Sequence, residues 1–121
     1  GKSEFENYSF LNCTIANVSS ALIKKENYDE YFKISKEYKQ AGDWIFYVNV
    51  MQNGYISYKN KPLNYYRVHG NNVSSVTKKE AHMNEIKNIH SYYDKKFGLT
   101  SKQKKEIDKR YDFLNEVWNL K

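Results

Sequence analysis

The pattern of hydrophobic and polar positions changes texture near residue 77. Residues 1–77 mix short apolar runs with Gly, Asn and the one proline, Pro62, whereas residues 78–121 are charged, periodic and hold a single glycine, Gly98. The pattern predicts two units, 1–77 and 78–121, with no repeat and no low-complexity linker. Ile15 to Ile23 (IANVSSALI) is small and β-branched with no charge before Lys24, and reads as a strand entering a buried place. Asn27 to Asp29 reads as a turn, and Tyr31 to Gln40 as a short helix with Phe32, Ile34 and Tyr38 on its apolar side, ended by Gly42. A second helix is expected from Asp43, whose carboxylate suits an N-cap. Trp44 to Gln52 (WIFYVNVMQ) is apolar nearly all round, so this helix should be buried, with Gly54 as a left-handed residue after it.

Tyr55 to Tyr58 (YISY) reads as a strand, Asn60 and Lys61 as a turn, and Pro62 opens an extended run from Leu63 to Val68. Residues 69–76 have loop chemistry. Two helices then follow, each opened by a capping box: Thr77 with Glu80, and Thr100 with Gln103. Met83, Ile86, His90, Tyr93 and Phe97 share one face of the first. Ile107, Tyr111, Leu114 and Trp118 share one face of the second, and Gly98 separates the two helices. The expected fold class is α/β or α+β: a few strands with packed helices, and a C-terminal helical hairpin.

Composition narrows the function classes. The net charge is +6, but lysine supplies nearly all the basic residues, and Arg67 and Arg110 are the only arginines. Sequence-reading nucleic-acid sites favour arginine forks. The charge therefore reads as a solvated basic surface, Lys102, Lys104 and Lys105 included, and nucleic acid is not expected as a partner. Anionic lipid head groups are a softer candidate, because many weak lysine contacts add. Cys13 stands alone, which fits a reducing compartment and a cytoplasmic location. The sequons at Asn12, Asn17 and Asn72 are expected by chance in so Asn-rich a chain. No apolar run reaches the length of a membrane span. The Gly1-Lys2-Ser3 start, without methionine, reads as a piece of a longer protein.

No free-standing catalytic motif is present: there is no phosphate-binding glycine loop, no H-E-x-x-H and no C-x-x-C. His69, His82 and His90 are too scattered for a metal site built from local spacing. Three features place polar groups at the edge of apolar elements. They are Asn17-Val18-Ser19-Ser20-Ala21, Ala41-Gly42-Asp43-Trp44, and Tyr66-Arg67-Val68-His69 followed by Asn71, Asn72 and Ser74.

In order and spacing these features resemble the second half of the family-2 glycosyltransferases, over about residues 12–77. The chain reads NVSSALIKK and then AGDWIFYVNVMQNGYISYKNKPLNYYRVHGNNVSS. The resemblance implies part of a nucleotide-diphospho-sugar transferase fold of the GT-A type. It implies a parent that transfers a sugar, with inversion, from a nucleotide-sugar donor to a glycan or other hydroxyl acceptor in polysaccharide biosynthesis. Asp43 would be the general base. Asn17, Ser19, Ser20, Trp44, Arg67 and His69 would line the acceptor or donor site. His69 would also meet a divalent metal, Mn or Mg, in the full-length parent. The usual D-x-D and the nucleotide-binding half are absent, so the piece alone should be inactive, with no metal held tightly. It should lie in the cytoplasm or at the inner face of the membrane, and a cut sheet edge should make it self-associate.

Each residue also has a plainer reading. Asp43 could simply cap its helix, and the helix dipole would then depress its pKa. Trp44 could be core, His69 a solvated loop residue, and Arg67 the partner of a buried carboxylate. Asn17, Ser19 and Ser20 could merely end a strand, and His90 could be helix packing. The alternative function is a non-catalytic basic module that binds nucleic acid or anionic glycan.

Overall fold

A computed structural model describes residues 1–65 and 78–120 of the chain. Every regular element among them is helical. Helix α1 (Lys2–Glu4) widens into a π-helical segment, Phe5–Ser9, in which the Phe10 N–H reaches back to the Phe5 carbonyl at 3.2 Å. A short 3₁₀ turn, Val18–Ser20, interrupts an otherwise extended stretch. Four longer helices follow: α2 (Lys25–Ser35), α3 (Gly42–Gln52), α4 (Lys79–Phe97) and α5 (Ser101–Trp118).

Helix α3 is the axis of the molecule. Seven of its residues are buried: Trp44, Ile45, Phe46, Tyr47, Val48, Asn49 and Met51. A helix apolar on all sides needs cover on all sides. Helix α2, which buries no residue fully, lies over one side, with Tyr28 meeting the Phe46 ring at 5.8 Å. Gly42 permits the approach: a Cβ there would stand 2.5 Å from the Ser35 carbonyl oxygen. On the other side Phe5 turns its edge to Tyr93 of α4 at 5.3 Å, and Trp44 does the same at 5.7 Å. Ile107 and Leu114 bring α5 into the same core. Each large apolar side chain so buried stabilises the fold by about 1.5–3 kcal/mol.

Polar residues tie the helices at fixed registers. Asn49, nearly fully buried, donates to the Ile45 carbonyl and accepts from the Tyr92 hydroxyl (2.8 Å) and the Lys96 ammonium (2.6 Å). His90 Nδ1 and the Tyr111 hydroxyl share a 2.7 Å hydrogen bond between α4 and α5. Gln103 donates to the Glu6 carbonyl at 3.1 Å and so joins α5 to the N-terminal segment.

The C-terminal helices lie where the periodicity places them. The Thr100–Gln103 capping box is formed on both sides, and Gly98 takes the left-handed φ of 73° after α4. Met83, Ile86, His90 and Tyr93 are buried as expected, with Ile89 beside them. The opening of α4 differs: its N-cap is Lys78, without a side-chain cap, and Thr77 lies outside the described residues.

The N-terminal reading needs correction. No strand occurs among the described residues, so the α/β or α+β class does not hold. Residues 15–23 are extended around the 3₁₀ turn rather than paired. Asn17 accepts from the Ser19 hydroxyl at its side chain and from the Ser20 hydroxyl at its carbonyl, both at 2.7 Å. Such local bonds compete with a ladder. Residues 55–58 belong to no regular element and make no backbone hydrogen bond among the described residues. The expected turn at Asn27–Asp29 is helical, because i,i+4 partners reward the helix: Tyr28 stacks on Phe32 at 4.5 Å, and Lys25 pairs with Asp29 at 3.6 Å. Gly54 is not left-handed; the C-cap of α3 is Asn53.

This all-helical architecture overturns the resemblance to family-2 glycosyltransferases. A GT-A transferase is built on a β-sheet core, and the described residues have none. The readings that followed from it fall with it: the transferase fragment, its enzymatic class and its place in polysaccharide biosynthesis.

Candidate functional site

The start of α3 faces the polar edge of α4 and the end of α5 across an open cleft of about 300 Å³. Its walls are largely apolar: Leu11, Ile15, Trp44, Ile86, Leu114 and Trp118. Its polar groups are Asn12, Gln40, Asp43, His82 and Arg110, with the Cys13 thiol beside them.

Backbone and side-chain bonds fix this corner. Glu85 of α4 accepts hydrogen bonds from three successive backbone N–H groups, those of Lys39, Gln40 and Ala41, at 2.9, 2.8 and 3.0 Å. The carboxylate thus anchors the turn that leads into α3. Burial alone would raise the Glu85 carboxyl. The three N–H donors, aided by the charge of His82, outweigh it and hold the pKa below its ordinary value.

Asp43 is not the N-cap of α3. The helix opens one residue earlier, at Gly42, with Ala41 as a cap that lends no side chain. Asp43 sits in the first turn, and its Oδ1 accepts from the Trp44 N–H at 2.7 Å. A helix-start carboxylate is expected to have a depressed pKa, yet that of Asp43 is raised. Burial is the largest cause. It overcomes the opposing N–H groups of Trp44 and Asp43 itself and the charge of His82.

His82 stacks on Trp118, with ring centres 5.1 Å apart, and Lys79, one turn earlier on α4, lies 5.3 Å from the same ring. Burial lowers the His82 pKa; Glu85 and Asp43 pull it up, and Lys79 pushes it down. Burial pushes the Cys13 thiol up to about 11, and its Sγ donates to the Ile15 carbonyl at 3.3 Å. A thiol so protonated is a poor nucleophile at neutral pH.

The residues expected at a site are only partly brought together. Asp43 and Trp44 line the cleft. Trp44 does so as core: it is 5% exposed, and its indole N–H donates to the Ser9 carbonyl at 2.7 Å. Asn17, Ser19 and Ser20 do not reach the cleft. Instead they bond to one another and to Asn64, whose amide nitrogen donates to Asn17 at 2.9 Å and Ser19 at 3.2 Å. Arg67 and His69 lie outside the described residues. Among the described residues no group of three or more His, Cys, Asp or Glu is arranged to hold a metal ion.

His82, Arg110 and Trp118 escaped the sequence reading as site residues. The one available signal was periodicity: His82 stands one turn before Ile86, at the rim of the buried face of α4. No spacing rule says that this rim faces Asp43. No family model matches the sequence, and it has no significant match to a curated protein or a solved structure.

Proposed function

We propose that the chain is a binding module that holds a small hydroxyl-bearing molecule in the cleft at the start of α3. The observation that carries this reading is the half-buried Asp43 carboxylate. Its one hydrogen bond to another described residue runs to the neighbouring Trp44 N–H, and apolar walls surround it. A ligand hydroxyl would donate to Asp43. Its apolar or aromatic body would lie against Ile86, Leu114 and Trp118. Small-molecule sites share this composition, a few convergent polar groups in an apolar hollow. Arg110 on the same wall disfavours a cationic ligand.

A polyanion module finds less support, because several cations among the described residues are already engaged at separate places. Lys25 and Lys104 are in ion pairs, while Lys36, Lys79, Lys87, Lys96 and Arg110 each lie over aromatic rings at separate places.

The test is a two-dimensional NMR titration with benzyl alcohol, and with benzyl methyl ether as the matched compound lacking the hydroxyl donor. Benzyl alcohol should shift the amides of Asp43 and His82 and the Trp118 indole. The ether, or the Asp43→Leu variant, should bind about tenfold more weakly, the worth of one hydrogen bond to a charged group. Equal affinity for both compounds, or shifts confined to another surface, would refute the assignment.

A further inference from the structure

Residues 53–65 are exposed throughout, although they carry large apolar side chains. Tyr55, Tyr58, Leu63 and Tyr65 are 104%, 83%, 75% and 102% accessible. The neighbouring segment does the same with Val18 and Leu22. Apolar residues scattered singly on a surface mean little, but several within one short segment mark a surface that something covers.

The backbone gives the run a direction. Between Tyr55 and Asn60 the chain has neither turn nor bend, and no backbone hydrogen bond among the described residues involves residues 55–65. The sequence Tyr55-Ile56-Ser57-Tyr58 has strand chemistry, and six residues is an ordinary strand length. The stretch is held at both ends. Gly54 follows Asn53, the C-cap of α3, and the Asn64 amide is clamped to Asn17 and Ser19. Pro62 stops a ladder from running further on the edge it faces. A strand-forming sequence is thus presented, anchored and, among the described residues, unpaired.

Charge selects the occupant. Residues 12–24 and 53–65 contain Lys24, Lys59 and Lys61, and no Asp or Glu. Pairing with a second copy would bring these lysines against their equivalents, in a chain of net charge +6. We infer that residues 55–60 are a docking strand that adds, in trans, to an exposed sheet edge of a protein partner whose flanking side chains are acidic. Main-chain bonds would supply affinity, the tyrosines apolar contact, and the lysines the choice of partner.

The experiment uses the full chain and a designed three-stranded sheet miniprotein with one open edge, made in glutamate-flanked and lysine-flanked versions. Affinity is read by fluorescence polarisation, and pairing by amide exchange at residues 55–60. The glutamate version should bind at least tenfold more tightly at low salt and slow exchange at alternate amides. Ser57→Pro, which removes one N–H from an exposed segment, should abolish binding and leave thermal unfolding unchanged. Equal binding of both versions, or binding that ignores Ser57→Pro, overturns the proposal. So does a dimer by light scattering that Ser57→Pro dissolves, because the occupant would then be a second copy. Protection by anionic vesicles instead of the miniprotein would assign the segment to a membrane surface and overturn it equally.

Discussion

Glu85 offers the sharpest test of how the cleft is held. Its carboxylate is the common acceptor of three consecutive N–H groups, at 2.8 to 3.0 Å, from the turn that leads into α3. Hydrogen bonds to a charged acceptor are worth about 1.5–3 kcal/mol each when dry. Glu85 is only partly buried, so water would satisfy much of what its removal exposes. The expected loss for Glu85→Ala is therefore about 2–3 kcal/mol in total, not the sum of three dry bonds. Glu85→Gln keeps one carbonyl oxygen and should lose about half of that. Urea unfolding at pH 7 should show the difference as a midpoint lowered by about 1 M for Glu85→Ala. The pH dependence is the stricter part. The folded-state pKa of Glu85 lies below its ordinary 4.5, so its stabilisation is complete above that value. It is lost as pH falls through the folded pKa. The gap between the parent chain and Glu85→Gln should be flat from pH 7 to about 5 and close on further acidification. A gap that persists unchanged to pH 3, or a Glu85→Ala variant as stable as the parent, would show that the three bonds do not anchor this corner.

Two further outcomes follow from buried ionisable groups. His90 is held near pKa 4 against an ordinary 6.5, first by burial and also by the charge of Arg110; the Phe10 carbonyl opposes the shift but is not in hydrogen-bond geometry with Nε2. The unfolded chain therefore takes up a proton that the folded one refuses, and about 3 kcal/mol of stability should disappear between pH 6.5 and 4. His90→Gln should flatten that slope, and the His90 ring resonances should stay in their neutral position down to about pH 5. Asp43 has the opposite sign from the usual carboxylate: its pKa is raised, so ionisation above the ordinary 3.8 costs stability. Asp43→Asn should unfold at a higher temperature than the parent at pH 7, and the advantage should vanish as pH falls below the unfolded value.

What could be read from the sequence depended on whether the reward was local. The Thr100–Gln103 box, the Gly98 stop and the faces of α4 and α5 involve residues three or four apart, and all lie where the pattern puts them. Residues 44–52 were legible as a buried helix because only enclosure on all sides suits so apolar a run. The strands were not, and for a physical reason. Ile15–Ile23 and Tyr55–Tyr58 have strand composition, but a strand exists only when a second strand pairs with it. Composition at one segment cannot report whether a partner exists, and among the described residues neither segment has one.

The same distinction explains why the reading of Asp43 as a helix cap fails. Its residue type fitted a cap, and a cap would lower its pKa. Its actual environment is a cleft that Leu114 and Trp118, more than seventy positions away, also line, and burial there raises the pKa instead. Glu85 meanwhile accepts from the N–H groups of the turn before α3, from forty-odd positions downstream. Among the described residues the Asp43 carboxylate has a single N–H partner outside its own residue. Asp43 spends one oxygen on the Trp44 N–H of its own helix, α4 anchors the preceding turn through Glu85, and the other Asp43 oxygen is the acceptor proposed for a ligand.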